Sequence, residues 1–208
     1  MKFQMVKKRK IGILGGTFDP VHLGHLVLAE QVMEKLRLDR VIFIPSASPP
    51  HKTKRKLSSA RDRFRMTKLA LEGNLKFSIS DLELKRDGLS YTIDTLKTLK
   101  KVYRNSEIYF LTGSDMLDEI HTWRDPEQIY KLVKMVIAIR PGFDRFDGDN
   151  HFAKKSIIVP ITGMDISSTG IREMVRKGES VRYLVPLKVE EYIKEKKLYR
   201  NHPSRQTG

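Results

Sequence analysis

Six short segments that are apolar almost throughout alternate along the chain with segments whose apolar residues recur at helical spacing. Apolar strands separated by helices are typical of a parallel sheet that is covered on both faces. The pattern therefore predicts an α/β protein with a doubly wound parallel sheet. The predicted strands are residues 10–18, 40–46, 76–84, 106–115, 134–142 and 155–161. The predicted helices are residues 25–38, 58–73, 90–103, 125–133, 167–178 and 186–197.

The length of 208 residues, 39% of them hydrophobic, favours one domain. We expect that domain to span residues 10–200, after a basic extension (1–9) and before a polar tail (201–208). The longest apolar run, residues 135–139, is much shorter than the roughly 18 residues of a membrane span. The N-terminus lacks the apolar stretch of a secretory signal. We therefore expect a cytoplasmic protein with no membrane partner, and its oligomeric state stays open.

The net charge of +15 raises the question of a nucleic-acid partner. Residues 1–10 and 52–68 hold most of the excess, as a basic terminus and a basic loop that runs into a helix. The sequence has no zinc-finger spacing, RNP-like aromatic segment or basic heptads, so we expect no nucleic-acid partner. The same field attracts small polyanions such as nucleotides. The absence of cysteine excludes disulfides, thiolate metal sites and thiol catalysis.

The stretch "GGTFDPVHLGH" (15–25) joins the first predicted strand to the first helix. Gly15 and Gly16 predict a sharp turn and a close approach of backbone to ligand. His22 and His25 are three residues apart, so they project to the same side if the helix has begun. Free N–H groups at a helix start attract phosphate, and imidazole N–H groups add donors. Together these features indicate a phosphate site, whereas each one alone is more often structural.

This stretch resembles the G-x-F-x-P-x-H-x-G-H motif of the nucleotidyltransferase superfamily. The segment "ISSTGIR" (166–172) resembles the I-S-S-T-x-I-R motif of the adenylyltransferases in that superfamily. The resemblance implies a Rossmann-like nucleotidyltransferase fold. Further segments are similar to those of the bacterial nicotinate-nucleotide adenylyltransferases, over roughly residues 10–200. They are "PSASPPHK" (45–52), "SYTIDTL" (90–96), "TGSDML" (112–117), "TW" (122–123) and "RPG" (140–142).

For this family the resemblance implies transfer of AMP from ATP to nicotinate mononucleotide, which yields deamido-NAD and pyrophosphate in NAD biosynthesis. It implies that His22 and His25 hold the ATP phosphates and stabilise the transition state, with Arg172 as a cationic clamp. The phosphate chemistry implies Mg²⁺. No carboxylate cage is visible in the sequence, so we expect ATP to carry the ion in and predict no protein metal site. Further expected ATP contacts are Gly15, Gly16, Thr17, Phe18, Ser167, Ser168 and Thr169.

The expected contacts to nicotinate mononucleotide are Thr17, His51, Lys52, Thr92, Gly113, Asp115, Trp123 and Arg140. Trp123 would stack on the cationic pyridine ring, and Asp115 would accept a hydrogen bond from a ribose hydroxyl. Each has an ordinary alternative: Trp123 as packing, Asp115 as a helix N-cap, Lys52 as a solvated charge and Thr92 as a cap.

Two other functions stay open at this stage. The first is the same chemistry on another phosphorylated acceptor, either nicotinamide mononucleotide or phosphopantetheine. The second is a basic RNA-binding module or a fragment of a class I aminoacyl-tRNA synthetase. Against the synthetase, "ISSTGIR" stands where a lysine-rich K-M-S-K-S-type loop is expected.

Overall fold

The computed structural model describes residues 8–49, 57–141 and 150–200. Within these ranges six strands and seven helices alternate, with two single turns of 3-10 helix at Ser114–Met116 and Ile120–Thr122. The strands are β1 (Arg9–Gly16), β2 (Arg40–Pro45), β3 (Phe77–Ile79), β4 (Ser106–Gly113), β5 (Lys134–Ile139) and β6 (Ile157–Pro160). The helices are α1 (Leu23–Leu36), α2 (Ala60–Ala70), α3 (Thr92–Val102), α4 (Pro126–Leu132), α5 (His151–Lys154), α6 (Ser168–Lys177) and α7 (Leu187–Glu195).

All six strands are parallel and lie in the order β3-β2-β1-β4-β5-β6. The order reverses between β1 and β4, which pair directly. Doubly wound sheets bind ligands beyond the carboxyl ends of their strands at such a reversal. The ends of β1 at Gly16 and of β4 at Gly113 therefore mark the expected ligand edge. The predicted α/β doubly wound architecture is confirmed.

The helices form two layers, one on each face of the sheet. Helices α1, α2, α6 and α7 bury side chains in one hydrophobic core, and α3 and α4 bury theirs in the other. Strand β2 contributes to both cores, since Val41 and Phe43 face the first while Ile42 and Ile44 face the second. This two-sided burial explains why the strand sequences are apolar throughout. In the described ranges, no helix combines the length and apolar character that a membrane crossing needs.

The third strand is shorter than the sequence predicts, since β3 ends at Ile79 rather than at residue 84. The Ser80 hydroxyl accepts the Leu82 N–H (3.3 Å), and the Lys85 N–H donates to the Asp81 carbonyl (3.1 Å). Serine and aspartate favour such local bonds, which compete with strand pairing. The alternating pattern after Ile79 therefore belongs to a turn.

The sequence pattern did not predict α5. Its N-cap is Asn150, whose Oδ1 accepts the N–H groups of Phe152 (3.0 Å) and Ala153 (3.1 Å). The Phe152 ring packs on Tyr130, with ring centroids 5.5 Å apart. A four-residue helix is too short to show a helical period, so the cap was its one sequence signal.

Candidate active site

The connection from β1 to α1 lies at the carboxyl edge of the sheet. The Ser46 N–H donates to the Gly16 carbonyl (2.8 Å), so the residues that follow β1 and β2 stay side by side. The chain turns at Phe18, whose φ of 48° is in the left-handed region that non-glycine residues rarely adopt. The prediction that Gly15 and Gly16 make this turn is wrong, because both lie within β1.

Gly16 instead makes room for an aromatic ring. A Cβ on Gly16 would lie 2.8 Å from Cε1 of Phe18, closer than carbon atoms pack. The Phe18 ring is only 2% exposed and packs on Phe43 and His25, with centroid distances of 5.8 Å and 5.0 Å. Its side chain is thus part of the core. The nucleotide contact predicted for Phe18 stays a prediction.

His22 and His25 lie together at the start of α1, with ring centroids 3.7 Å apart. They share one side of the helix start, as their spacing predicts. His22 is the N-cap residue, and its backbone N–H donates to Nδ1 of His25 (3.2 Å). Because Nδ1 of His25 accepts a hydrogen bond, the proton of the neutral ring is on Nε2, which is a donor.

Gly24 allows the His22 ring to pack against the helix. A Cβ on Gly24 would lie 3.1 Å from Nδ1 and 3.2 Å from Cε1 of His22. His22 is 4% exposed, and its Nδ1 has no hydrogen-bond partner within the described part of the chain. Burial, and after it the positive charge of Arg140, lowers the pKa of His22 from 6.5 to about 4. The buried ring is therefore neutral at pH 7.

This lowered pKa predicts a loss of stability in acid. Below the ordinary histidine pKa the unfolded chain binds a proton at position 22 that the folded chain does not, so stability falls as the pH drops from about 6.5 towards 4. The expected contribution is about 3 kcal/mol of unfolding free energy. Urea unfolding of the unmodified protein and of His22→Asn from pH 7 to pH 4 measures it. All other titrating groups contribute equally to the two proteins. Parallel curves of unfolding free energy against pH would therefore contradict the lowered pKa of His22.

The start of α6 contacts the turn between β1 and α1. Ser168 donates its hydroxyl to the Pro20 carbonyl (2.9 Å), and Arg172 donates from Nη1 to the Asp19 carbonyl (2.5 Å). These bonds join segments that are about 150 residues apart in sequence. The two motifs singled out in the sequence therefore meet at the carboxyl edge of the sheet.

The polar side chains of this motif have structural bonds of their own. Ser167 is the N-cap of α6, and its hydroxyl accepts the Gly170 N–H (3.0 Å). Arg172 is 8% exposed and donates from Nη2 to the Thr169 hydroxyl (3.0 Å). Arg172 thus holds the turn of the first motif, and its role as a phosphate clamp stays a prediction. Thr17 is half-buried beside this turn, and Thr169 is exposed.

Two of the predicted acceptor contacts lie after β4. Gly113 ends the strand, and a Cβ there would overlap Oδ1 of Asp115. The exposed carboxylate of Asp115 therefore folds over the end of β4. The alternative role of Asp115 as an N-cap is wrong, because Gly113 holds that position in the 3-10 turn.

Three other acceptor candidates surround the same edge. Trp123 is half-buried and packs edge-on against Phe110, with ring centroids 6.0 Å apart. Phe110 in turn lies 3.5 Å from where a Cβ on Gly15 would be. Arg140 follows β5, and its charge acts on His22. Thr92 is the first residue of α3, whose N-cap is the preceding residue, so Thr92 is not the cap. The predicted contacts His51 and Lys52 lie outside the described residues.

Comparison with known proteins gives the family. Residues 13–174 match the cytidylyltransferase-like family. A probable nicotinate-nucleotide adenylyltransferase of Desulfitobacterium hafniense (strain DSM 10664 / DCB-2) is 44% identical over 199 residues, which cover 92% of this chain and 96% of the relative. Another, from Thermoanaerobacter sp. (strain X514), is 43% identical over 204 residues, with 94% and 97% coverage. The chain belongs to the nicotinate-nucleotide adenylyltransferase family.

A solved structure of similar fold is the Plasmodium falciparum nicotinic acid mononucleotide adenylyltransferase complexed with NaAD. It is 22% identical, with a TM-score of 0.78, and the match covers 92% of this chain and 97% of that one. The same enzyme complexed with APC has a TM-score of 0.76 at 22% identity and equal coverage. The Rossmann-like nucleotidyltransferase fold implied by the sequence is confirmed. As a family member, the protein is an enzyme of the nucleotidyltransferase class.

Asp19, which no sequence pattern singles out, is buried beneath the candidate site of this adenylyltransferase. Asp19 is 2% exposed, and its Oδ1 accepts the Tyr199 hydroxyl (2.8 Å) while its Oδ2 accepts the Ser58 N–H (3.4 Å). Its carbonyl accepts the bond from Arg172. Asp19 lay within the quoted motif, but its partners come from distant parts of the chain and leave no local pattern.

No group of three or more histidine, aspartate or glutamate side chains that could hold a metal ion is present in the residues described. Of the acidic residues at this edge, Asp115 is exposed, whereas Asp19 is bonded to Tyr199 and Ser58. The expectation that Mg²⁺ arrives with ATP stays a prediction.

Proposed function

We propose that this member of the family transfers AMP from ATP to nicotinate mononucleotide and releases pyrophosphate, forming deamido-NAD. The observation that carries the proposal is the contact between the turn that bears His22 and His25 and the start of α6. This contact brings imidazole donors and a capped helix N-terminus together where the strand order reverses. The similar Plasmodium falciparum structures, complexed with NaAD and with APC, support nucleotide substrates.

The reaction needs alignment more than acid–base chemistry. The phosphate of the mononucleotide attacks the α-phosphorus of ATP, a P–O bond forms, and the bond to pyrophosphate breaks. A phosphate anion is already a nucleophile, so no general base has to remove a proton. The enzyme must hold two polyanions in line and offset their repulsion, which is positioning plus electrostatic stabilisation.

The residues at the starts of α1 and α6 suit the binding of ATP, the substrate that donates AMP. Nε2–H of His25 is a neutral donor, and the neutral His22 ring beside it adds no charge. The α6 N-terminus, where Ser168 and Thr169 follow the Ser167 cap, offers backbone N–H groups to the β- and γ-phosphates. Donors held in place before the reaction stabilise the charge that develops on the transferring group.

The acceptor would occupy the side of β4 and β5. Trp123 is half-buried against Phe110, so part of its ring stays accessible. That part would offer an aromatic face to the cationic pyridine ring. Asp115 presents an exposed carboxylate for a ribose hydroxyl, and Arg140 adds positive charge near the phosphates. Thr92, at the start of α3, would contact the pyridine carboxylate.

We also infer that Mg²⁺ enters bound to ATP. Phosphate oxygens and water are the ligands that Mg²⁺ prefers, and it usually takes only one or two protein carboxylates. The ion would neutralise charge on the leaving pyrophosphate.

The proposal predicts an order of acceptors. Pyrophosphate release with ATP and Mg²⁺ is measured for nicotinate mononucleotide, nicotinamide mononucleotide and phosphopantetheine. We expect turnover with nicotinate mononucleotide far above that with the amide, and none with phosphopantetheine. Equal rates on the two pyridine nucleotides would contradict the acid specificity. Turnover with phosphopantetheine alone would contradict the acceptor class.

A further inference from the structure

A fully buried arginine lies beneath the candidate active site. Arg63, in the first turn of α2, is 1% exposed. Its guanidinium donates from Nη1 to the carbonyls of Thr17 (2.7 Å) and Ser46 (2.5 Å), and from Nη2 to that of Ala47 (3.0 Å). Its Nε donates to the Ser58 carbonyl (3.1 Å). One side chain thus bonds to backbone from three separate stretches of the chain.

Three of these carbonyls lie just beyond the ends of two neighbouring strands at the carboxyl edge of the sheet. Thr17 begins the turn that carries His22 and His25, while Ser46 and Ala47 follow β2 on the neighbouring strand. Ser58 lies just before α2. Arg63 therefore sets the spacing between the turn after β1 and the ends of the connection from β2 to α2.

The charge of this guanidinium is costly to bury. Burial lowers the pKa of Arg63 from its ordinary value, while the negative charges of Asp19 and Glu83 oppose that effect. Apolar side chains of similar volume often replace buried charges without loss of stability. An apolar residue could not donate to four carbonyls at once, which a planar guanidinium can do.

Ser90 holds the same segment from the other side. Its hydroxyl accepts the N–H groups of Ala47 (3.1 Å) and Ser48 (3.1 Å), and its own N–H donates to the Ser48 carbonyl (2.9 Å). Ser90 lies two residues before α3. The residues after β2 are thus bonded on one side to α2 and on the other to the approach to α3.

We propose that Arg63 is a positioning residue that fixes the turn after β1 against the segment after β2, and thereby holds His22 and His25 in place for the reaction. The inference rests on the proposed function. Catalysis by alignment is sensitive to small shifts, and a displacement of about 1 Å can lower the rate about a hundredfold. Arg63 itself touches no substrate, because its guanidinium is buried and bonded to backbone.

The test is the kinetics of Arg63→Lys. Lysine keeps the positive charge but has one compact donor group. The ammonium group cannot reach all four carbonyls, which are spread around the plane of the Arg63 guanidinium. We expect kcat to fall about tenfold while KM for ATP changes by less than about twofold. Assays are run well below the unfolding temperature of each variant, which is measured in parallel.

Leu71→Ala is the matched control. Leu71 is buried directly after α2 and bonds to none of the four carbonyls, so its truncation lowers stability by cavity formation alone. We expect its kcat to equal that of the unmodified protein at the same temperature. If both variants lose kcat in proportion to lost stability, Arg63 is merely structural and the proposal is overturned.

Ser90→Ala is the second variant, and it leaves Arg63 intact. It removes the acceptor shared by Ala47 and Ser48, so we expect a fall in kcat smaller than that of Arg63→Lys, again with KM for ATP maintained. If Arg63→Lys does not fold, Ser90→Ala is the deciding test. An unchanged kcat in Ser90→Ala would then overturn the proposal. Failure of the proposed function is distinct, because the unmodified protein would then not turn over nicotinate mononucleotide.

Discussion

Replacing His25 by alanine is expected to lower turnover about a hundredfold or more, the usual effect of removing one transition-state donor. The ring is held in place on two sides, by His22 at 3.7 Å and by Phe18 at 5.0 Å between centroids. The backbone N–H of His22 occupies Nδ1 and thereby keeps the proton on Nε2. Pyrophosphate release at saturating ATP and nicotinate mononucleotide measures kcat for the variant and the unmodified protein.

His151→Ala is the matched control for this prediction. His151 is an exposed histidine in α5 that pairs with Glu127 at 2.9 Å, outside the candidate site. Its loss should leave kcat unchanged. A His25→Ala variant that retained kcat within about threefold would assign the ring to helix capping rather than to catalysis, because a transition-state donor contributes far more.

The architecture was accessible from sequence because it depends on a simple physical requirement. A strand between two helical layers has no solvent-facing side, so residues such as Val41 and Ile42 must both be apolar. The same logic failed at residues 80–84, where alternation continued beyond β3. There the Ser80 hydroxyl bonds to nearby backbone, and that competition depends on geometry that no periodicity shows.

The motif residues could be found from sequence, but the reason for each could not. The sequence pattern predicts a turn at Gly16, whereas in the structure Gly16 makes space for the ring of Phe18. The sequence does not distinguish a glycine that is needed for its backbone conformation from one that is needed because a side chain would not fit. The side chain that decides between them is fixed by packing against Phe43, which lies on another strand.

Arg63 shows why charge counts mislead about burial. Residues 52–68 are predicted to be a basic loop that runs into a helix, and Arg63 is one of the charges counted there. Yet Arg63, Met66, Thr67 and Ala70 share the buried face of α2, at spacings of three, four and seven residues. The helical phase thus held a usable signal: an arginine at a core-facing position must have partners.

Replacing Asp19 by alanine is expected to destabilise the fold by about 3 kcal/mol or more, because it removes a buried carboxylate that charged neighbours require. The variant loses the bonds from the Tyr199 hydroxyl and the Ser58 N–H. It also leaves the buried guanidinium of Arg63 with less opposing charge, since Asp19 is the first of the groups that counter the effect of burial. The midpoint of urea unfolding, with its slope unchanged, measures the loss.

Two further variants separate the contributions at this position. Tyr199→Phe removes one hydrogen bond to the carboxylate and should cost about 1.5 to 3 kcal/mol, the usual range for a bond to a charged group. Asp118→Ala changes an exposed carboxylate, and its unfolding midpoint should match that of the unmodified protein. If Asp19→Ala costs no more than Tyr199→Phe, the charge of Asp19 contributes nothing beyond that bond. The guanidinium of Arg63 would then be balanced by Glu83 instead.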